Sequence, residues 1–444
     1  MNFKKFFKSP WGITFPILIL FVVDVFLLGK NVPLSDGIRY WKTASDILDG
    51  FSNTSVLESW LLLNGPLYPL ILAIFKGIGF SVKASIYLNA IFLYTAFTFF
   101  FKSAKLFLSQ KKALLITYVL VFIDPFLFYW GAKLYSEPLA ILWVCTLIFL
   151  LTKYFNSPSK KLLYWAALIF CLLALTRVIF AYVLLIFIPI GILGYYIFKK
   201  ELFKSITKLA GFGILFLIPY LIFTYSITNK VFYLSGNGGL LLYWTSSPYK
   251  SDMGEWHTMQ INHDHFAARY NSFSGLDSLY LRKVNQVIID QINSNHSEFA
   301  KILSQTKDLV EYDDMLKAKA VENIKNHPTS FLSNWILNTG RLLVGIPHAM
   351  YHKPPFSPLF TLLNTVKSSF VLCFFLIALA LFLKNFSFGQ SNLIWMLLLL
   401  VIYLAGQSLL AVQSQRFLLP VYPLIVIFTA ISFSNYLQFK SPKS

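Results

Sequence analysis

Asp36, Arg39 and Tyr40 share one helical turn in "DGIRY", just past the apolar run "WGITFPILILFVVDVFLLGK". A membrane anchor ending there needs only a snorkelling Lys and a Trp. A carboxylate at that place can take a proton from an incoming hydroxyl. Arginines can hold a phosphate and stabilise charge developing on it. The other acids and cations beside apolar runs extend the set. Asp124 stands in "FIDPFLFYW", Glu137 in "LYSEPLAILW" and Arg416 in "QSQRFLLPVYPL". Arg177 falls between two apolar runs. Ionisable groups at such depths are costly, and function commonly retains them. Asp36, Asp124 and Glu137 are therefore candidate catalytic acids. Arg39, Tyr40, Arg177 and Arg416 are candidate substrate or phosphate contacts. Each also has a purely structural role open to it. Asp36 can cap a helix over 37–50. Asp124 can mark a helix break before Pro125. Ser136 or Glu137 can start a helix with Pro138 in its first turn. The two arginines can be snorkelling anchors. Asp24 is expected to face a bundle interior. Asp46 and Asp49 are expected on the solvated side of the helix that Asp36 opens.

Those residues need elements to hold them, and composition says which kind. Of 444 residues, 57% are hydrophobic and only 13% are charged. A soluble domain carries about 25% charged residues. The deficit and the repeated long apolar runs imply an all-α polytopic membrane protein. The first apolar run has the length of a full span with no small-residue cleavage site after it, so no removable leader is expected. The net charge of +19 sits in short lysine clusters between apolar runs. That is the positive-inside pattern, and it excludes nucleic acid as the explanation. Cys145, Cys171 and Cys373 all fall inside apolar runs without metal spacing, and are expected as buried small hydrophobes.

With the lysine clusters on one side, about ten crossings follow, near 11–29, 84–101, 109–126, 137–152, 162–176, 178–198, 208–228, 357–383, 391–411 and 417–436. Both termini then lie in the cytoplasm. An N-terminal transmembrane module takes 1–228 and includes a first outer loop at 30–83; a larger extracytoplasmic domain takes 229–356; C-terminal transmembrane helices take 357–444. Within the first loop, "GPLYPLILAIFKGIGF" is too short and proline-rich to span, and implies an interfacial or re-entrant helix. The run at 329–347 places Asn334, Asn338 and Arg341 at near-helical spacing, which implies an amphipathic interfacial helix. Asp36, Asp124, Glu137, Arg177 and Arg416 converge on the outer face under this topology.

The order of these motifs resembles the GT-C glycosyltransferases of the protein mannosyltransferase and lipid A aminoarabinose transferase type. "DGIRY" (36–40) is similar to the acidic motif after the first span, and "GPLYPLILAIFKGIG" (65–79) to the Pro-Leu-Tyr juxtamembrane helix, which adds Tyr68. "DPFLFYWGAKLYSEPLA" (124–140) resembles the second outer loop. "GNGGLLLYWTSSP" (236–248) resembles the opening of the large outer domain, and "RFLLPVYPL" (416–424) the last span. The resemblance covers nearly the whole chain. It implies a GT-C-like bundle and a sugar donor on a polyprenyl phosphate, used at the outer leaflet. Asp36 would be the general base for a hydroxyl acceptor in a glycan, a lipid or a protein. Attack would invert the anomeric centre, and polyprenyl phosphate would leave. No nucleotide sugar, Rossmann domain or required cofactor is implied. Two positions depart from the family. Gly37 stands where a Glu is frequent, and Gly65 precedes Pro66 where related transferases place a phosphate-holding Lys. The phosphate would then fall to Arg177, Lys133 or Arg416.

Three histidines, His257, His263 and His265, lie close together in the long outer segment. "HDH" (263–265) offers two ligands for a divalent metal, although without a second cluster at metal spacing surface histidines explain them as well. Two other functions fit a greasy, lysine-rich chain: an outer-face glycan polymerase or ligase, and a lipid or oligosaccharide transporter. The first would show Arg and His clusters in its large loop. The second would show inverted repeats and charges near the midplane. The composition, rich in Lys, Asn, Ile and Phe, points to an AT-rich bacterial genome. The expected location is a bacterial inner membrane with the site facing the periplasm or exterior.

Overall fold

In the computed structural model, residues 3–34, 36–52, 56, 60–63, 65–248, 254, 309–344, 358–411 and 415–440 are described. Among these residues every regular element is a helix. A short amphipathic turn, α1 (Phe3–Lys8), precedes α2 (Pro10–Leu28). Ser9 caps α2 by accepting from the Gly12 N–H at 3.2 Å, and Pro10 supplies the first helical position. Next come α3 (Asp36–Leu48) and α4 (Leu67–Gly77). The bundle continues with α5 (Val82–Ala104), α6 (Gln110–Phe122), α7 (Phe126–Gly131), α8 (Glu137–Asn156) and α9 (Lys160–Thr176). Then follow α10 (Ile179–Phe198), α11 (Glu201–Thr228) and α12 (Gly238–Thr245). The C-terminal part holds α13 (Leu309–Asn326), α14 (Pro328–Val344), α15 (Pro358–Lys384), α16 (Ser391–Ser408) and α17 (Tyr422–Lys440). A tight helical turn at Gln415–Val421 leads into α17.

Among the described residues, eight helices are long and apolar enough to cross a membrane: α2, α5, α8, α10, α11, α15, α16 and the Arg416–Leu437 stretch. The chain is an all-α polytopic membrane protein. Two of the ten expected crossings are shorter. α9 has 17 residues. α6 has 13 and stops at Phe122, where a full span was expected to reach 126. Thirteen residues rise only about 20 Å, against about 30 Å of hydrocarbon. The cause is local. Pro125 disfavours a helical Asp124, and the Asp124 side chain accepts the Phe126 N–H at 2.9 Å, so a new short helix starts.

The buried core joins α2, α5, α8, α9, α10 and α17 through Phe21, Phe97, Phe100, Ile148, Phe170, Phe187 and Phe428. α4 is interfacial in character. Tyr68 and Leu72 are buried while Leu70, Ile74 and Ile78 are exposed, and eleven residues cannot span. α3 packs on it, with Lys76 bonded to Ser45 and lying 4.7 Å over the Trp41 ring.

Two expectations are corrected by burial. Asp46 is buried rather than solvated, and burial pushes its carboxyl up. Cys373 lies exposed on α15, although Cys145 and Cys171 are buried. α14 is amphipathic, as its spacing implies, and its polar side faces inward. Asn334 donates to the Thr245 and Ser247 carbonyls at 2.9 and 3.0 Å, Asn338 and Arg341 are buried, and Leu332 and Ile336 are exposed.

Candidate active site

Helix ends build the site. Asp36 is the first residue of α3 and Glu137 the first of α8, so both carboxylates sit at helix N-termini. Arg177 terminates α9. Each charge therefore has the sign that the adjacent helix dipole favours. Arg416 arrives from the turn that leads into α17.

The four residues form one network. Asp36 Oδ1 takes a bond from Arg39, and Asp36 Oδ2 takes Arg416 Nη1 at 2.6 Å. Arg416 Nε donates to Glu137 Oε1, and Arg177 Nη2 reaches the same oxygen at 2.7 Å. Arg416 thus bridges the two carboxylates, with its guanidinium 4.3 Å over Tyr135 and 5.3 Å over Trp130. Both Asp36 oxygens are committed to arginines, so its carboxylate serves the network and not the capping of α3. Glu137 is 1% exposed, and among the described residues its buried Oε2 has no hydrogen-bond partner. That oxygen is an open acceptor in the site.

Electrostatics fix the protonation of Asp36. Burial alone would push its carboxyl up, but Arg39 and Arg416 outweigh it and hold it well below the usual carboxylate range. Tyr40 hydrogen-bonds Ser136 at 3.1 Å and meets Tyr68 edge-on, with ring centroids 5.1 Å apart. Burial pushes both phenols up, so both stay protonated donors.

Lys133 stands at the edge of the network. Its ammonium lies 3.4 Å over the Tyr129 ring and 4.9 Å over Trp130, and among the described residues no carboxylate pairs with it. Burial, then Arg416, then Lys30 lower its pKa to about 8.

Asp124 stands in a different group. Its Oδ2 meets Lys367 of α15 at 3.0 Å, and Asp124 is 2% exposed. Asp36, Arg39, Tyr40, Glu137, Arg177 and Arg416 are brought together; Tyr68 and Lys133 flank them; among the described residues Asp124 pairs with Lys367 instead. His263 and His265 lie outside the described residues. Among the described residues no three His, Cys, Asp or Glu side chains gather to hold a metal ion. The two carboxylates that converge, Asp36 and Glu137, are joined by Arg416.

Gly37 and Gly65 both stand where the backbone passes close to other chain. A Cβ at position 37 would lie 3.1 Å from the Leu134 carbonyl oxygen, so a Glu there would press on the α7–α8 loop. A Cβ at position 65 would lie 2.4 Å from the Leu175 carbonyl oxygen and 2.6 Å from that of Thr176. No lysine fits at position 65 while the chain passes this close to the end of α9.

The residue types alone did not signal Asn89. It is fully buried in α5, and its Nδ2 donates to the carbonyls of Lys133 at 2.6 Å and Gly131 at 3.1 Å. An Asn inside "SIYLNAIFLY" was the available clue.

No protein-family description matches the chain, and no curated protein does either. Among solved structures the chain is similar to the archaeal oligosaccharyltransferase AglB from Archaeoglobus fulgidus, in complex with an inhibitory peptide and a dolichol-phosphate. The TM-score is 0.49 and the identity 13%; the match covers 98% of this chain and 51% of that one. The chain thus spans about half the length of that enzyme.

Proposed function

We propose that the protein transfers a sugar from a polyprenyl-phosphate-linked donor to a hydroxyl acceptor, with Asp36 as general base. The observation that carries this reading is the Arg416 bridge between Asp36 and Glu137, set among cations in excess. Four cations, Arg39, Lys133, Arg177 and Arg416, face two carboxylates. The surplus is two positive charges. A glycosyl phosphodiester brings one negative charge, and the phosphomonoester left after transfer approaches two. The site therefore favours the charge of the leaving group over that of the donor, which is what lowers a barrier.

The steps follow. Donor phosphate competes for Arg416 and Arg177. Drawing Arg416 away from Asp36 removes a cation from that carboxylate and raises its basicity. The acceptor hydroxyl then gives its proton to Asp36 as its oxygen bonds to the anomeric carbon. The bond from that carbon to the phosphate oxygen breaks on the opposite face. Its electron pair leaves with the phosphate, held by Arg416, Arg177 and Lys133, and the anomeric centre inverts. Glu137 keeps the two arginines aimed, and its open Oε2 can accept a hydrogen bond from sugar or acceptor. No required cofactor enters these steps, and the acceptor class extends over glycan, lipid and protein. We assign the active side to the periplasmic or exterior face, opposite the lysine clusters, in a bacterial inner membrane with both termini cytoplasmic.

Asp36→Asn tests the base. It removes proton acceptance while keeping size and hydrogen-bonding capacity. Turnover should fall by about 10²–10⁴-fold, with donor affinity changed only a few-fold. Wild-type turnover in Asp36→Asn would overturn the assignment.

A further inference from the structure

Asn89 is buried at 0% exposure in a membrane-spanning helix, where a side-chain amide is expensive unless all its bonds are made. It makes them to one place. Its two donated bonds end on the Gly131 and Lys133 carbonyls, and its Oδ1 accepts from the Tyr68 hydroxyl at 3.5 Å. One amide thus ties α4, α5 and the loop between α7 and α8 together. The chain is not helical over Ala132–Tyr135, and the Lys133 carbonyl takes the Tyr135 N–H at 2.9 Å as well as the Asn89 amide. Lys133 is the residue in that loop whose ammonium reaches the arginine network.

We propose that Asn89 is a positioning residue that fixes the 131–133 loop so that Lys133 presents its ammonium to an anionic phosphate at the network's edge. The phosphate rests on the transferase reading above; the positioning of Lys133 does not. The groups facing Lys133 are Arg416 from the 415–421 turn, Lys30 from the loop after α2, and Tyr129 and Trp130 from α7. Asp24 of α2 lies behind the loop, 4.0 Å from where a Cβ on Gly131 would stand. Two cations and two rings therefore surround an ammonium that is held in place by its backbone. Freed from that place, the side chain would move toward water and regain an ordinary lysine's behaviour.

The test uses the full-length protein in detergent. The first measurement follows acylation of Lys133 at graded pH, resolved by peptide mass spectrometry, in wild type, Asn89→Leu and Asn89→Ser. Wild-type reactivity should have its midpoint at about 8. In Asn89→Leu it should move up by a unit or more, toward the ordinary lysine value of about 10.4. Asn89→Ser, the milder change, keeps one donor and should fall between. A midpoint that stays at about 8 in both variants overturns the proposal. The second measurement titrates a short-chain polyprenyl phosphate. Wild-type binding should weaken as pH rises through about 8, because the ammonium is charged below that value and neutral above it. At pH 7, Lys133→Gln and Asn89→Leu should each lose about tenfold in affinity, and Lys133→Gln should lose the pH dependence. Loss in Lys133→Gln without loss in either Asn89 variant overturns this inference and leaves the transferase reading standing. No polyprenyl phosphate binding by the wild type would overturn that reading itself, whatever the acylation midpoints show.

Discussion

Arg416 touches more of the site than any other side chain described. Its Nη1 bonds Asp36, its Nε bonds Glu137, and its flat face lies over Tyr135. Only a planar fork can do all three at once; a lysine is a point charge on a flexible stem. Arg416→Lys should therefore keep the net charge and the fold but release Asp36 or Glu137. Affinity for a polyprenyl phosphate should drop about tenfold or more, which isothermal titration can read. Unchanged affinity would show that the bridge does not serve the phosphate. Glu137→Gln is the harsher change, since removing one partner of a buried ion pair costs roughly 3–5 kcal/mol. Much of this residue set was legible in the sequence, because acids are rare in this chain and Asp36, Glu137, Arg177 and Arg416 stand out beside apolar runs. Their exact pairing was not legible. Asp36 and Arg416 are 380 positions apart, and only the fold brings the turn before α17 onto α3. Asp124 shows the converse, since its Lys367 partner lies on α15 and no local pattern points there.

At the scale of elements, chain order and lysine clusters located most helices to within a few residues. The exceptions have local causes. The Asp124–Pro125 step shortens α6 and creates α7. The polar side of α14 turns inward, which spacing alone does not decide, since periodicity reports a stripe and not what covers it. Close approach also had no signal beyond the glycines themselves. Gly65 lets the first outer loop touch the end of α9, where Arg177 projects. Gly65→Ala should displace that contact, lowering the thermal unfolding temperature and weakening phosphate binding together. Gly211→Ala is the control. Nothing lies within 4 Å of a Cβ there, so the substitution should be neutral or stabilising by about 0.5–1 kcal/mol. Equal effects from the two alanines, read by differential scanning fluorimetry, would contradict the role given to Gly65.

At the scale of the whole molecule, two of the eight apolar helices found among the described residues bring Glu137 and Arg416 to the ionised network, while α3 and the end of α9 supply Asp36, Arg39 and Arg177. A frame of apolar helices makes charge concentration affordable only where opposite signs meet, and the surplus of cations is what remains for a ligand. The surplus has its use in handling a leaving phosphate, and transfer in a membrane tests that most directly. Purified full-length protein should be reconstituted into liposomes with a polyprenyl-phosphate-linked sugar and a hydroxyl acceptor. The prediction is one polyprenyl phosphate released per sugar transferred, with the anomeric configuration inverted in the product. Movement of intact donor between leaflets, without cleavage of the bond from sugar to phosphate, would contradict it.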